Sequence, residues 1–174
     1  MARTQSVIVG ALCLAVAAVP AAAQGVRVRL PAWQELVLLD SMRQEHALAA
    51  KPDEVYAAVL RVFADLGIPT GNTDSKAGII GSEKFEKMRQ LAGAPLSRSY
   101  SCGESATGPN ADFYRLSIAI VAWVKPASGG GTTLAVANAA SGNDISGTYR
   151  NPRACASTGR IEQKIVEGVQ KYVK

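Results

Sequence analysis

The feature that most constrains the fold is a long alternating stretch from Asp112 to Val124, DFYRLSIAIVAWV, the longest uninterrupted strand pattern in the chain. Successive side chains of a strand point to opposite faces of the sheet. One face would therefore carry Tyr114, Leu116, Ile118, Ile120, Ala122 and Val124, and the other Arg115, Ser117, Ala119, Val121 and Trp123. The first set is predicted to be a core face. The rest of the chain must pair with this strand or cover it.

The second face of the strand leaves two interpretations open. Val121 and Trp123 form an exposed apolar partner surface if no other layer covers them. They are buried instead if the N-terminal arm packs over them through Trp33 and Leu36. A second candidate contact, for an anionic partner, lies in the loop before the last helix and consists of Tyr149, Arg150 and Arg153.

Two amphipathic helices are predicted. The first spans Pro52 to Leu66, because proline suits a first helical turn, apolar residues recur at helical period, and Gly67 supplies a stop. The second follows Gly159, with a polar cap expected from Ser157 or Thr158. The predicted strands are 44–50, 78–85, 112–124 and 132–138. The sequence therefore predicts an α+β fold: a two-layer domain with an antiparallel sheet of about four strands and both helices on one face, which is a helix-grip-like arrangement.

The first residues have the pattern of a signal peptide. Arg3 precedes an apolar run from Val7 to Val19, which is shorter than the roughly 20 residues that span a bilayer. An Ala-rich cleavage pattern ends at Ala23. We expect a signal peptide over 1–23, an N-terminal arm over 24–43 and a single α+β domain over 44–174, with no transmembrane segment after cleavage. The mature protein would be periplasmic or secreted. An uncleaved anchor is the alternative.

The cysteines support the same compartment. Cys13 lies inside the apolar run and follows Leu12, whereas a lipobox needs a small residue there, so lipidation is not expected. Cys102 and Cys155 remain, and two cysteines in an exported chain most economically form one disulfide bond. Two free thiols or a metal-binding pair are the alternatives, but the chain has one histidine and no C-x-x-C.

Part of the chain resembles the helix-grip domains of BamC-type lipoproteins, which are accessory parts of the outer-membrane barrel assembly machine. The resemblance covers Gln44 to about Phe85. It lies in the helix start KPDEVY from Lys51, the helix exit LGI from Leu66, and the turn from Asp74 through Gly78 to Ile80. It implies a short entry strand, a helix and a turn into the next strand. This chain departs from the family in lacking a lipobox, in having one such unit and in carrying the cysteine pair.

Catalytic patterns are largely missing. His46 is the only histidine, and no G-x-S-x-G or S-x-x-K motif is present, so a serine nucleophile has no recognisable base. The carboxylate pairs Glu83/Glu86 and Asp53/Glu54 are predicted to be surface charges. No phosphate-binding glycine motif and no calcium-loop spacing occur. We therefore expect no catalytic residues, no metal and no cofactor.

The expected function is non-enzymatic. The chain is predicted to be an exported envelope protein that acts as a protein-interaction or assembly accessory module, with an envelope protein as its partner and no nucleic acid. The net charge of +5 comes from scattered rather than clustered basic residues. One alternative is a carrier that holds a small apolar ligand in a cleft between helix and sheet. Another is a hydrolase with an unrecognised site. The sequence does not determine the oligomeric state.

Overall fold

A computed structural model describes residues 25–147 and 151–174. In this part of the chain, two α-helices and thirteen strands alternate with three short 3-10 turns. The helices are α1 (Pro52–Asp65) and α2 (Arg160–Tyr172). The strands are β1 (Arg27–Val28), β2 (Val37–Leu38), β3 (Gln44–Leu48), β4 (Asn72–Asp74), β5 (Ile79–Met88), β6 (Gln90–Leu91), β7 (Ala94–Pro95), β8 (Tyr100–Ser101), β9 (Glu104–Ser105), β10 (Gly108–Pro109), β11 (Arg115–Pro126), β12 (Thr132–Asn143) and β13 (Arg153–Ser157).

The predicted four-stranded two-layer fold is wrong, because the main sheet has seven antiparallel strands and small two-stranded sheets surround it. The strand order is β4-β5-β11-β12-β13-β8, and β3 also pairs with β12. The extra strands β4, β8 and β13 lie in segments that read as polar turns and irregular loops. They are two to five residues long and carry no apolar alternation. Distant pairing, rather than local pattern, therefore makes them strands.

The centre of the sheet is a long hairpin. β11 and β12 pair along their full length, from Arg115 opposite Asn143 to Pro126 opposite Thr132. This confirms the predicted antiparallel pairing of these two stretches. The strand begins at Arg115 rather than Asp112, because residues 110–112 form a 3-10 turn.

The helices cover one face of this hairpin. The predicted stripe of α1 is buried and packs on Ile118, Ile120 and the other side chains that the alternation assigned to the core face. The helix ends at Asp65, with Leu66 as its C-cap. Gly168 of α2 lies against Val62 of α1, where an added Cβ would come within 2.9 Å of a valine methyl group. The glycine therefore permits close contact between the helices.

The N-terminal arm covers the other face. Val28, Leu30 and Leu39 form a second core cluster with the alternate side chains of β11 and β12. Trp123 is 3% exposed, and the Arg43 guanidinium lies 5.4 Å from the centre of its ring. The sheet is thus packed on both faces, by helices on one side and by the arm on the other.

A disulfide joins Cys102 to Cys155, with 4.3 Å between their Cα atoms, and confirms the predicted bond. It connects the residue after β8 to the middle of β13. Both cysteines belong to the helix-side core cluster. The bond therefore fastens the long connection before β11 to the end of the sheet that follows β12.

Candidate functional site

A cleft of about 540 Å³ lies at one end of the main sheet. The register fixes its position, because Arg115 at the start of β11 is opposite both Met88 of β5 and Asn143 of β12. The residues that leave or enter these three strands therefore emerge side by side. Each segment contributes a wall: Met88 and Arg89, Asp112 to Tyr114, and Asp144 to Ser146.

Three large apolar side chains are exposed in this cleft. Met88 is 38% exposed, Phe113 50% and Ile145 52%. They come from sequence positions far apart, yet the strand register brings them together. Exposed apolar side chains scattered singly are ordinary, but a cluster rimmed by polar groups is typical of a binding surface. The volume is also within the range of ligand-binding pockets, about 300–1,000 Å³.

The two carboxylates of the cleft are held by serine donors. Asp112 accepts hydrogen bonds from the backbone N–H and the hydroxyl of Ser97, at 2.8 and 2.7 Å. Asp144 accepts the same pair of bonds from Ser146, also at 2.8 and 2.7 Å. Such bonds fix the orientation of a carboxylate. Both acids therefore have a structural task in shaping the loops.

Arg89 is the cation of the cleft and has an unusual backbone. Its φ is +65°, a left-handed conformation that costs a residue with a side chain on the order of 1 kcal/mol or more. Ala92 is the other non-glycine residue with positive φ among the described residues, at +54°. Ala92 and Gly93 form the two-residue turn between β6 and β7, where positive φ at both positions is normal. Arg89 lies one residue before β6, at the base of this hairpin, and is not one of the two turn positions.

The disulfide supports one wall of the cleft. Ser105 and Thr107, which line it, belong to the β9–β10 hairpin that begins just after Cys102. Asn110 closes the base of this hairpin: its N–H donates to the Gly103 carbonyl at 3.0 Å, and its side-chain amide donates to the Cys102 carbonyl. The base of the β9–β10 hairpin is therefore fixed by these hydrogen bonds and by the disulfide.

The sequence-predicted partner residues lie elsewhere or outside the described chain. Val121 is 2% exposed and Trp123 is 3% exposed, both beneath the arm, so they form no surface. Trp33 packs there as one interpretation expected, whereas Leu36 is 47% exposed and does not. Arg153 is exposed on β13, opposite Gly142, and takes part in an interaction of its own. The predictions for Tyr149 and Arg150 lie outside the described residues.

Sequence reasoning missed Met88, Arg89, Phe113 and Ile145. Met88 and Arg89 lie where the strand pattern dissolves, and Ile145 lies in a polar loop. Phe113 was assigned to the strand. The only signal was the presence of an apolar residue at each strand end, and such residues are usually buried. Their convergence depends on register, which the sequence does not display.

A polar cluster of exposed and buried residues lies under the start of α2. The Ser157 hydroxyl donates to Glu162 at 2.8 Å, and it accepts from the Asn138 amide at 3.3 Å and from the Gly159 N–H at 3.0 Å. Gly159, with φ +80°, is the N-cap, so the cap expected at Ser157 or Thr158 is displaced. Burial raises the pKa of Tyr100, and the negative charge of the nearby Glu162 raises it further. The Tyr100 hydroxyl has no hydrogen-bond partner among the described residues.

This cluster contains a hydroxyl beside a carboxylate, but the arrangement is poorly suited to catalysis. A carboxylate is a weak base toward a serine hydroxyl, and neither His46 nor any lysine bonds to Ser157 among the described hydrogen bonds. Neither of the two described clefts is lined by Ser157. The contacts instead tie the first turn of α2 to β12 and β13.

A second cleft, of about 530 Å³, lies between the two helices and is lined by Val62, Leu66 and Gly168 together with charged side chains. Tyr172 closes one end by donating a hydrogen bond to Asp65 at 2.7 Å, and this bond raises the pKa of Tyr172. The space between helices and sheet is occupied by fully buried side chains, including Phe63, Ile120 and Ile165.

The remaining candidates are accounted for singly. His46 is half-buried on β3, opposite Leu134. Glu86 forms an ion pair with Arg115 at 3.9 Å, while Asp53 and Glu54 lie in the first turn of α1. Among the described residues, no group of three or more His, Cys, Asp or Glu side chains could hold a metal ion. Within 25–147 and 151–174, no helix is long and apolar enough to cross a membrane.

A scan of the sequence against protein-family models found no match, and a search of curated proteins found none either. The resemblance of residues 44–85 to BamC-type domains therefore stays a prediction.

Proposed function

We propose that the protein is an exported, non-enzymatic binding module that recognises a partner protein of the cell envelope through the cleft at the end of the sheet. One observation carries the proposal: Met88, Phe113 and Ile145, from three distant segments, are exposed together in one cleft. These side chains are 38% to 52% exposed, so leaving that exposed part in water forgoes on the order of 1 kcal/mol of burial for each. A partner that covers them recovers that free energy.

Two further features support this role. The walls of the cleft are loops mounted on a rigid sheet and anchored by a disulfide, and binding residues commonly sit on such loops. The disulfide fits an oxidising compartment, as the predicted signal peptide does. The cleft is the surface through which we propose that the accessory function acts.

A photo-crosslinking experiment tests the proposal. Benzoyl-phenylalanine replaces Phe113 in the producing cells, and irradiation should yield one defined adduct with a partner protein. Ile145→Asp in the same chain should abolish the adduct, because a charge in the cleft opposes apolar contact. Benzoyl-phenylalanine at Tyr172, which is 46% exposed at the end of α2, is the matched control. Absence of an adduct at 113, or the same adduct from both positions, would contradict the proposal.

The cleft volume favours a second candidate function, a carrier of a small apolar ligand. This version differs from the sequence-based alternative, which had the ligand between helix and sheet. Native mass spectrometry of protein purified from its producing cells distinguishes the two functions. A carrier should show an added mass that Ile145→Asp removes, whereas an interaction module should have the mass of the bare chain.

A further inference from the structure

We infer that the occupant of the cleft carries an anionic group beside its apolar one, and that Arg89 binds this anion. The inference rests on the proposed function and specifies its partner: a polypeptide segment in which an acidic residue lies next to a large apolar side chain. Three observations carry it, namely the charge arrangement of the cleft, the position of Arg89 beside the apolar side chains, and its backbone conformation.

The charges of the cleft are unequally satisfied. Asp112 and Asp144 each accept two hydrogen bonds from a serine of the same chain. The Arg89 guanidinium has no ion pair and no hydrogen bond among the described residues, and Arg89 is exposed. An unpaired guanidinium offers a planar fork of donors that matches a carboxylate. Arg89 therefore lacks an anionic partner within the described chain, and a bound molecule could supply one.

Arg89 is adjacent to the apolar side chains. It follows Met88 directly and lines the same cleft as Phe113 and Ile145. Apolar walls beside a cation lower the local dielectric constant once an occupant displaces water, and this strengthens the attraction. The two kinds of contact would thus be made by neighbouring groups of one ligand. An acidic residue next to a leucine or phenylalanine in a peptide has this chemistry.

The backbone of Arg89 indicates that its side chain is retained at a cost. Glycine adopts a φ of +65° without strain, so the fold alone would favour glycine at this position. The conformation is held by the Leu96 N–H, which donates to the Arg89 carbonyl at 2.9 Å. Residues held in strained conformations cluster at binding and catalytic sites. The side chain of Arg89 therefore serves something other than the turn.

Peptide display on the folded, oxidised protein tests the inference. Five chains are compared. They are the wild type, Arg89→Gln, Arg89→Gly, the matched control Arg61→Gln, which removes a cation from α1, and Ile145→Asp, which serves as the non-binding reference. The wild type and the control should enrich peptides that carry an acidic residue within one or two positions of a large apolar residue. Arg89→Gln should still enrich apolar peptides but without the acidic preference.

Affinities of one selected peptide complete the test. Arg89→Gln should weaken binding roughly tenfold and remove the part of the salt-induced weakening that comes from the ion pair. Arg89→Gly should weaken binding equally while raising the Tm, which excludes misfolding as the cause. Enrichment of apolar peptides without acidic residues, or equal affinity of wild type and Arg89→Gln, would overturn the inference and leave the proposed function intact. Failure of every chain to enrich peptides relative to Ile145→Asp would overturn both.

Discussion

The two faces of the main sheet are built from different side chains. On β12, Leu134 and Val136 point toward the helices, whereas Ala135, Ala137 and Ala139 point toward the N-terminal arm. The helix side thus has bulky branched side chains that interdigitate with two amphipathic helices. The arm side of the sheet is lined mainly by alanines. Trp123 is the largest side chain that the sheet contributes there. The difference shows that one sheet can pack against a layer of helices on one face and against a thinner, extended arm on the other.

The two layers are also specified differently. The local sequence specifies the helical layer, because each helix repeats its apolar residues at helical period. The arm has little regular structure besides the β1–β2 ribbon, whose exposed Leu38 is opposite Arg27. Three buried side chains, Val28, Leu30 and Leu39, hold it. We expect the helical layer to be the more stable of the two.

The disulfide should contribute strongly to the free energy of unfolding. Reduction, or Cys102→Ser, releases the loop of 53 residues that the bond closes, and this should lower the free energy of unfolding by about 4 kcal/mol. Thermal unfolding with and without reductant measures the effect. The double variant, with both cysteines replaced by serine, should match the single one. An unchanged melting curve under reducing conditions would contradict a stabilising role for the bond.

Truncation on the helix side should cost more than truncation on the arm side. Ile165 and Leu39 are both fully buried, and their replacement by alanine should cost about 2–5 kcal/mol. Ile165→Ala should lie near the upper limit because two helices and the sheet hold the cavity open. Leu39→Ala should lie near the lower limit because the short arm can relax. Urea unfolding gives both values, and equal costs would show that the arm is as rigid as the helices.

Enlargement of an alanine under the arm should displace it. Ala137 is fully buried, so Ala137→Leu should destabilise the fold by about 1–3 kcal/mol. Hydrogen exchange should show faster exchange of the arm amides, with α1 and α2 unaffected. Ala154→Leu, at an exposed position of β13, is the control and should change stability by less than about 0.5 kcal/mol. Equal loosening of both layers would contradict their independence.

Alkaline unfolding should report on the polar cluster under α2. Burial raises the pKa of Tyr100 above the usual 10.0 of a tyrosine, so below pH 10 the phenol is protonated in both folded and unfolded states. Above that pH only the unfolded state loses the proton, and the free energy of unfolding should fall by about 1.4 kcal/mol per pH unit. Tyr100→Phe should lower this slope by about 1.4 kcal/mol per pH unit, leaving the contribution of other groups such as Tyr172, whose pKa is also raised. An identical slope in the variant would place its origin elsewhere.

The helical layer was predictable because its signals are local. α1 begins at Pro52 as predicted and ends one residue before the prediction, since proline, the apolar stripe and Gly67 all act within the helix. The full pairing of β11 with β12 follows from alternation and a glycine-rich turn. By contrast, β8 and β13 become strands only because the disulfide and the edge of β12 bring them together. No local pattern marks such pairing.

The cleft was unpredictable for a related reason. Met88, Phe113 and Ile145 meet only through the register of three strands, and each one alone reads as an ordinary apolar residue near a strand end. Sequence reasoning instead selected Val121 and Trp123, because alternation shows which side chains share a face but does not show what covers that face. The arm that covers them comes from nearly one hundred residues earlier.

The hairpin of β11 and β12 also separates two ends of the molecule. Twelve paired residues extend for about 40 Å, so the turn at its tip lies far from the cleft. Gly129 and Gly130 in this turn have no atoms within 4 Å of an added Cβ, whereas Gly131 would collide with the Leu48 carbonyl at 2.4 Å. A dye or surface linker attached at residue 129 would therefore leave the sheet intact and present the cleft to solution, so that the protein could be immobilised in a known orientation.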